Sequence, residues 1–236
     1  MKKLLLLCSL FFVFTCSDDN NSNSVDNSQL LDFEGNVYTV LEAGDQLWTT
    51  ENLKVKTYRD GTPIPFVENY EQWSNLTTGA WCYVNNDPST EEVYGILYNL
   101  YAINNPRGLS PEGSRIPTAN DYYHLATSQG VYQFGSIDFD VFKKFLSVDV
   151  PWNYYNTNIL GDNSSGFNAR PAGLRIGASE FPAFSRYASF GTNTIEITTF
   201  GSFKCFRLNL TSTSEYQIGF SDRDPRTGVS VRVILD

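Results

Sequence analysis

The first segment of the chain limits which residues can form a folded domain. Lys2 and Lys3 precede an apolar run of twelve residues, 4–15, and the sequence becomes almost entirely polar after Cys16. A helix that spans a membrane needs about 20 apolar residues, so this run is too short to do so. The layout is typical of a cleaved secretory signal, and residues 1–15 are predicted to take no part in the fold.

The end of the apolar run indicates lipidation. The sequence Val13-Phe14-Thr15-Cys16 resembles a lipobox, the recognition site of bacterial lipoproteins, in which the cysteine is acylated and becomes the new N-terminus. Several acyl chains anchor a protein stably, because each buried methylene contributes about 0.8 kcal/mol. The alternative is ordinary cleavage nearby, with Cys16 removed or left as a spare cysteine.

The polar tract that follows is predicted to be a flexible tether, residues 16–29 including the lipidated cysteine. Between Ser17 and Gln29 it holds four Asn, four Ser and three Asp with a single Val. Such a composition cannot bury enough apolar surface to offset the entropy of ordering. The triplet Ser17-Asp18-Asp19 resembles the acidic export signal of Bacteroidetes surface lipoproteins. We therefore expect an outer-membrane lipoprotein that faces outward.

Charge excludes one class of partner. Loss of Lys2 and Lys3 leaves 15 basic against 26 acidic residues, a net charge of −11. Nucleic acid requires a basic surface, and electrostatic docking on anionic lipid does too. The lipid anchor is therefore the only membrane contact that the sequence predicts. The remaining residues, 30–236, suffice for one domain with a sizeable core.

Residue patterns within 30–236 predict strands, turns and two helices. The strands are expected at 37–41, 46–48, 81–84, 195–200, 204–210, 216–220 and 229–235, with a buried stretch at 94–102. Thr118 and Asp121 have capping-box spacing before the first helix, which Gly130 can close. The second helix is expected from Asp138 to Pro151, with its apolar side chains on one face: Phe139, Phe142, Phe145 and Leu146. This mixture predicts an α+β domain.

Five stretches, in order, resemble one family, the Fibrobacter succinogenes major paralogous domain of bacterial secreted and surface proteins. They are DFEGNVYTVLEAGDQLWTTENLKVKTYRDGTPI, VYGILYNLYA, GSRIPTANDYYHL, SSGFNARPAGLR and GVSVRVILD, and the resemblance covers residues 33–236. It implies a single C-type-lectin-like domain, near the formylglycine-generating group. Such a domain has small twisted antiparallel sheets, two helices and a long irregular loop region where ligands usually lie. The family offers no well-defined activity to carry over.

The sequence contains no recognisable catalytic constellation. His124 is the only histidine, and no Gly-x-Ser-x-Gly elbow accompanies it. One histidine and two domain cysteines do not make a zinc site. We therefore expect a protein that is not an enzyme and needs no cofactor. A glycoside hydrolase stays open as an alternative, because any two of the 26 acidic residues could meet in a cleft.

Two cysteines, Cys82 and Cys205, belong to the predicted domain. In an oxidising compartment an isolated pair is a disulfide candidate. The alternative is two buried free thiols, since a bridge requires the two Cα atoms to lie within about 4.4–6.8 Å.

The stretch PWNYYNTNILGDN, residues 151–163, is the candidate ligand site. Its proposed binding residues are Trp152, Tyr154, Tyr155, Asn156, Asp162 and Asn163. Aromatic rings beside amide groups suit a sugar or a peptide loop. The alternative is that Trp152 and one tyrosine belong to the core and that the asparagines form turns. Oxygen atoms of Asp162, Asn163 and Ser164 could hold calcium, although ordinary surface turns have the same composition.

Together these features predict a surface-exposed lipoprotein with a non-catalytic binding module for a glycan, a protein or another surface polymer. The second class left open is a structural or adhesion component of the cell envelope, whose domain only packs against its neighbours.

Overall fold

A computed structural model describes residues 29–177, 181–196, 202–212 and 214–236. The predicted signal, Cys16 and nearly all of the tether lie outside these ranges. The strands are β1 (Gln29–Leu31), β2 (Val37–Ala43), β3 (Gln46–Thr49), β4 (Trp81–Tyr83), β5 (Ile96–Tyr98), β6 (Ser114–Arg115), β7 (Gly135–Ile137), β8 (Trp152–Tyr154), β9 (Thr157–Ile159), β10 (Tyr187–Glu196), β11 (Ser202–Ser212), β12 (Glu215–Arg223) and β13 (Ile234–Leu235). The helices are α1 (Tyr70–Ser74), α2 (Glu91–Tyr94), α3 (Leu100–Ile103), α4 (Ala119–Ser128) and α5 (Phe139–Phe142), with 3-10 turns at Val84–Asn86 and Pro88–Thr90.

The strands form small antiparallel sheets. One has five strands in the order β1-β2-β3-β13-β6, a second has four in the order β10-β11-β12-β7, and β4-β5 and β8-β9 pair separately. The helices that lie between them are few and short. The α+β class is therefore confirmed.

The hairpin between β2 and β3 forms where the sequence predicts it. Ala43 pairs with Gln46, so the turn consists of Gly44 and Asp45 alone. Both residues have positive φ, 61° and 63°, as a two-residue turn that matches the strand twist requires.

Helix α4 begins with the predicted capping box. The Thr118 hydroxyl accepts the Asp121 N–H at 3.1 Å, and the Asp121 carboxylate accepts the Thr118 N–H at 2.7 Å. Its buried face holds Tyr122, Leu125 and Ala126. In the ranges given above, no helix has the length and apolar character needed to cross a membrane.

The second predicted helix is much shorter than expected. Helix α5 ends at Phe142; beyond it the backbone makes only two more local turns, from the Phe145 N–H to the Phe142 carbonyl and from the Leu146 N–H to the Lys143 carbonyl, and then bonds to the 161–169 segment. The Ala169 N–H donates to the Phe145 carbonyl, and the Ser147 N–H donates to the Ala169 carbonyl. Phe145 and Leu146 are still completely buried. The apolar pattern therefore predicted burial correctly, but the backbone conformation is set by this distant partner.

Strand β11 lies between two cores and contributes to both. Phe203 and Cys205 belong to a first cluster around Tyr38 and Tyr98, whereas Phe206 and Leu208 belong to a second. The second cluster includes Trp48, Trp152 and Phe167, and a smaller third cluster surrounds Trp73. Within one strand, the buried face thus changes sides after Cys205.

The terminal strands are confirmed in part. Strands β11 and β12 contain the predicted stretches 204–210 and 216–220. Of 195–200, only the first two residues belong to β10, and the others lie outside the described residues. The predicted strand 229–235 is reduced to β13, preceded by single bridges such as Tyr98 to Val229 and Phe190 to Ser230.

The candidate disulfide between Cys82 and Cys205 does not form in the structure. Both cysteines are free and buried. Cys205 lies in the first core cluster and Cys82 in the third, each among apolar side chains. The structure instead has two buried free thiols, which is the alternative that the sequence left open.

We expect the two thiols to be unreactive while the domain is folded. Burial raises the pKa of Cys82 to about 11 and that of Cys205 to about 12, and the thiolate is the reactive form. A maleimide added to residues 30–236 at pH 7 should label neither cysteine. The same reagent in denaturant should label both. Labelling of the native domain at either position would contradict this prediction.

Candidate functional site

The structure places the predicted ligand stretch 151–163 on the β8–β9 hairpin and buries its tryptophan. Trp152 is completely buried, its ring lies edge-on to Phe142 at 5.6 Å, and its Nε1–H donates to the Ala169 carbonyl at 3.2 Å. A side chain enclosed on all sides cannot line a ligand site. Trp152 is therefore a core residue, and its assignment to binding is corrected.

The two tyrosines of the hairpin differ from each other. Tyr154 is half-buried, with Tyr155 at 4.7 Å and the Arg186 guanidinium 5.5 Å from its ring. Tyr155 is 86% exposed at the hairpin tip, where its φ is 52°, and Asn156 beside it is exposed too. The hairpin thus presents one exposed ring on a protruding turn rather than a concave wall.

The polar residues that follow form turns. Asp162 accepts the Ser164 N–H at 3.0 Å, and Asn163 accepts the Asn168 N–H at 2.6 Å. The Lys143 ammonium lies 3.9 Å from the Asp162 carboxylate, in competition with any cation. Across the described part of the chain, no three His, Cys, Asp or Glu side chains gather as a metal site. The arrangement matches the turn-forming alternative.

A more suitable site, here called the polar pocket, lies between the segment that follows β3 and helix α2. Its volume is about 280 Å³. The hydrogen-bonding side chains that line it are Tyr38, Glu51, Asn52, Lys54, Glu91, Glu92 and Arg170. Hydrogen-bond donors and acceptors, and side chains of both charge signs, therefore face one concave space.

Gly95 and Asn52 bring the two walls of the polar pocket together. Gly95 ends α2 with φ 67°, and a Cβ at this position would lie 2.8 Å from the Leu53 carbonyl oxygen, so only glycine fits. The Asn52 amide donates to the Tyr94 carbonyl at 2.7 Å and accepts from the Arg232 Nε–H at 2.6 Å. The two walls of the pocket are thus held together by the side-chain hydrogen bonds of Asn52 and by the close approach of Gly95 to Leu53.

Ion pairs surround the rim of the polar pocket. Lys54 pairs with Glu92 at 2.8 Å, and Lys56 pairs with Glu91 at 2.8 Å. Arg170 donates to the Val93 carbonyl at 2.7 Å, while its Nε–H is buried without a partner. The Glu92 side chain is 80% exposed and the Lys54 side chain only 18%, so solvent reaches this pair from the glutamate side. A pair with one such exposed partner contributes little to stability, and Glu92 can exchange Lys54 for a ligand.

Three aromatic rings pack together near Lys56 and are here called the aromatic platform: the exposed Phe66, the half-buried Tyr83, and Trp81, which is buried in the first core cluster. The Phe66 ring is 46% exposed and lies 4.7 Å from Trp81 and 5.5 Å from Tyr83. The Lys56 ammonium lies 5.3 Å and 5.4 Å from the Trp81 and Tyr83 ring centroids and also bonds Glu91. The Lys56–Glu91 pair therefore connects the aromatic platform to the polar pocket.

Charges of both signs meet at this site, where Lys54 pairs with Glu92 and Lys56 pairs with Glu91. Elsewhere among the described residues, the carboxyl groups whose pKa shifts clearly are shifted downwards: Asp60, Asp87, Asp121, Asp162 and Asp224. His124 is exposed on α4.

Sequence reasoning missed this site because its parts come from distant segments. One local signal was present. Lys54 and Lys56 flank the buried Val55, and alternation in extended chain places both ammonium groups on one face. Their partners, Glu91 and Glu92, follow more than 30 positions later. Nothing local indicates that they meet.

Comparison with known proteins gives one family. The model described as Fibrobacter succinogenes major domain matches residues 41–234, a span that includes the whole aromatic platform and all of the polar pocket except Val37 and Tyr38. No curated protein and no solved structure matches the chain.

Proposed function

The chain belongs to the Fibrobacter succinogenes major domain family, and we propose that it is a surface-exposed outer-membrane lipoprotein that binds a glycan without catalysis. The anchor is the acylated Cys16, residues 16–29 are the tether, and residues 30–236 are the binding module. The observation that carries the proposal is that Glu91, which lines the polar pocket, bonds the Lys56 ammonium, which in turn lies over the Trp81 and Tyr83 rings.

A sugar has two kinds of surface, and this site complements both. The C–H face of a pyranose packs on an aromatic ring, and the exposed Phe66 offers one. The hydroxyl groups at the ring edge donate and accept at once. Glu92 supplies acceptors only and Lys54 donors only, so the pair can satisfy one hydroxyl in both roles.

The C-type-lectin-like fold is part of the proposal. Small antiparallel sheets and a long irregular region between α5 and β10 support it. In this fold the irregular region usually holds the ligand. Arg170 comes from that region and lines the polar pocket, which connects the fold proposal to the site.

We expect Phe66→Ala to weaken glycan binding by at least roughly tenfold, equivalent to about 1.4 kcal/mol, because the stacking surface is lost. Glu92→Gln keeps the shape of the side chain but removes its charge, and we expect a smaller loss. The measurement is a glycan-array screen of residues 30–236, followed by titration of the best ligand. Tyr155→Ala is the matched control, since its ring is more exposed and lies outside the site.

Two results would contradict this assignment. Glycan binding that survives Phe66→Ala and is lost in Tyr155→Ala would place the glycan site on the β8–β9 hairpin. A blank array from a folded domain would count against a glycan ligand and favour a protein partner or a structural role in the envelope. Trp152→Ala is a poor probe here, because removal of a buried ring disturbs the whole second core cluster.

A further inference from the structure

Three large apolar side chains, here called the apolar patch, face solvent at the start of the described chain: Leu31, Phe33 and Val37. They are 62%, 72% and 50% exposed. Leu31 and Val37 are directly opposite each other in the β1–β2 pair, so their side chains share one face of the sheet. Exposed apolar side chains grouped in this way usually mark an interaction surface.

A rigid turn holds the apolar patch outward. The Asp32 carboxylate accepts the Glu34 and Asn36 N–H groups at 2.9 Å each and the Tyr38 hydroxyl at 2.7 Å. Alternation along β2 directs Tyr38 into the first core cluster and Val37 to solvent. These bonds fix the backbone on both sides of Phe33, whose ring is 72% exposed.

The position of the apolar patch in the chain indicates what covers it. Twelve residues, 17–28, separate β1 from the cysteine that is predicted to carry the lipid, which makes thirteen residue-to-residue steps from Cys16 to Gln29. At a maximum of about 3.5 Å per residue, they span at most about 45 Å. A bilayer that holds Cys16 is thus always within reach of the patch.

We propose that the apolar patch docks on the bilayer that holds the anchor, inserting Leu31, Phe33 and Val37 at the boundary between headgroups and acyl chains. This inference rests on the acylated Cys16 of the proposed function. A fluid lipid surface accepts protruding apolar side chains without shape complementarity, and amphipathic surfaces bind there in proportion to their buried apolar area. The net charge of −11 favours zwitterionic lipid over anionic lipid.

A protein strand is a weaker fit to the same surface. Strand β1 is at the sheet edge, and three of the described residues form it. An edge this short offers few backbone groups for pairing with another chain. Docking on lipid also has a consequence for the glycan site. Val37 lines the polar pocket as well, so the docked domain holds that pocket near the headgroup level.

The test uses the full-length lipoprotein in phosphatidylcholine vesicles. A Thr39→Cys variant carries an environment-sensitive fluorophore on the same face of β2 as Val37, and Tyr132→Cys, at a position 87% exposed outside the patch, is the matched control. Cys82 and Cys205 are buried, so the introduced thiol is labelled selectively. We expect a blue shift and quenching by brominated lipid at position 39 only.

A patch variant with Leu31→Ser and Phe33→Ser should lower the quenched fraction at position 39 by roughly tenfold while the protein stays anchored. Both side chains are exposed, so the fold should tolerate the change, which circular dichroism checks. Co-flotation with vesicles scores anchoring separately. If the protein floats with the vesicles but position 39 shows no blue shift, docking is contradicted and the lipid anchor is not. If the protein does not float, the anchor and docking are both contradicted, while the glycan array still tests the polar pocket.

Discussion

Replacement of Arg232 by leucine is expected to lower the free energy of unfolding of residues 30–236 by about 3–5 kcal/mol. Arg232 is completely buried. Its Nε–H donates to the Asn52 side chain at 2.6 Å, and its Nη1 group donates to the Thr49 and Phe167 carbonyls at 2.6 Å and 2.8 Å. Its Nη2 group donates to the Asn168 carbonyl at 2.9 Å. Leucine leaves these acceptors buried without donors.

The guanidinium of Arg232 is held by dipoles rather than by a carboxylate. Burial lowers its pKa to about 9, so it remains a cation at neutral pH. The Phe167 and Phe190 rings lie 4.9 Å and 5.6 Å from it and add a favourable cation–π contact. A buried ion pair can often be replaced by apolar residues at little cost, because both partners leave together. Backbone carbonyls cannot be removed, so no such compensation exists here.

Equilibrium unfolding in urea would measure the loss. Arg232→Lys should be intermediate, because an ammonium retains the charge but cannot reach all four acceptors. Arg107→Leu is the control, since that side chain is about half exposed and pairs only with Asp60 at 3.3 Å, and it should change stability by less than about 0.5 kcal/mol. If Arg232→Leu lowered the free energy of unfolding no more than Arg107→Leu does, the four hydrogen bonds of Arg232 would not stabilise the fold.

Those parts of the fold that depend on neighbouring residues were predictable, and the parts that depend on distant ones were not. Thr118 with Asp121 predicted the start of α4, and Gly44-Asp45 predicted the hairpin, because each signal and its partner lie within a few residues. The length of the second helix was overestimated, because its apolar pattern could not show that residues 161–169 hydrogen-bond to the backbone after Phe142.

The candidate site shows the same limit. The sequence indicated aromatic residues beside polar ones at 151–163, but the same description fits other stretches, and both Trp152 and Trp81 are buried in core clusters. Whether a large ring joins the core or borders a pocket is decided by what packs on it, and Trp152 is enclosed by residues from β11 and the 145–169 region. Arg232 lies within a stretch that carried the family resemblance, yet its acceptors come from positions 49, 52, 167 and 168. Local sequence offers no sign that a charge will be buried.

Replacement of Asp121 by asparagine is expected to lower the free energy of unfolding by about 2–4 kcal/mol at pH 7. The buried carboxylate accepts both Arg115 Nη groups, at 2.7 Å and 3.0 Å, the Thr118 N–H and hydroxyl at 2.7 Å each, and the Gln46 amide at 2.8 Å. It thus joins the start of α4 to β3 and β6. Asparagine retains one acceptor oxygen, loses the charge, and directs an N–H₂ group at donors.

The pH dependence of this loss follows from the direction of the pKa shift. Although burial opposes ionisation, the bonds from Arg115, Thr118 and Gln46 outweigh it and hold the pKa of Asp121 far below its usual range. A carboxyl group with a lowered native pKa stabilises the fold above its unfolded pKa, about 4. That contribution disappears as the pH falls towards the native value. Wild type should therefore lose stability between about pH 4 and pH 2 more steeply than the asparagine variant.

Urea unfolding of both proteins at several pH values from 2 to 7 would test this. The difference in unfolding free energy should be largest at neutral pH and shrink steadily in acid. Asp138→Asn is the matched control, because Asp138 also precedes a helix but is exposed and makes no side-chain cap bond. It should follow wild type throughout. A gap between wild type and Asp121→Asn that stayed constant in acid would mean that the carboxylate stabilises α4 by its shape and not by its charge.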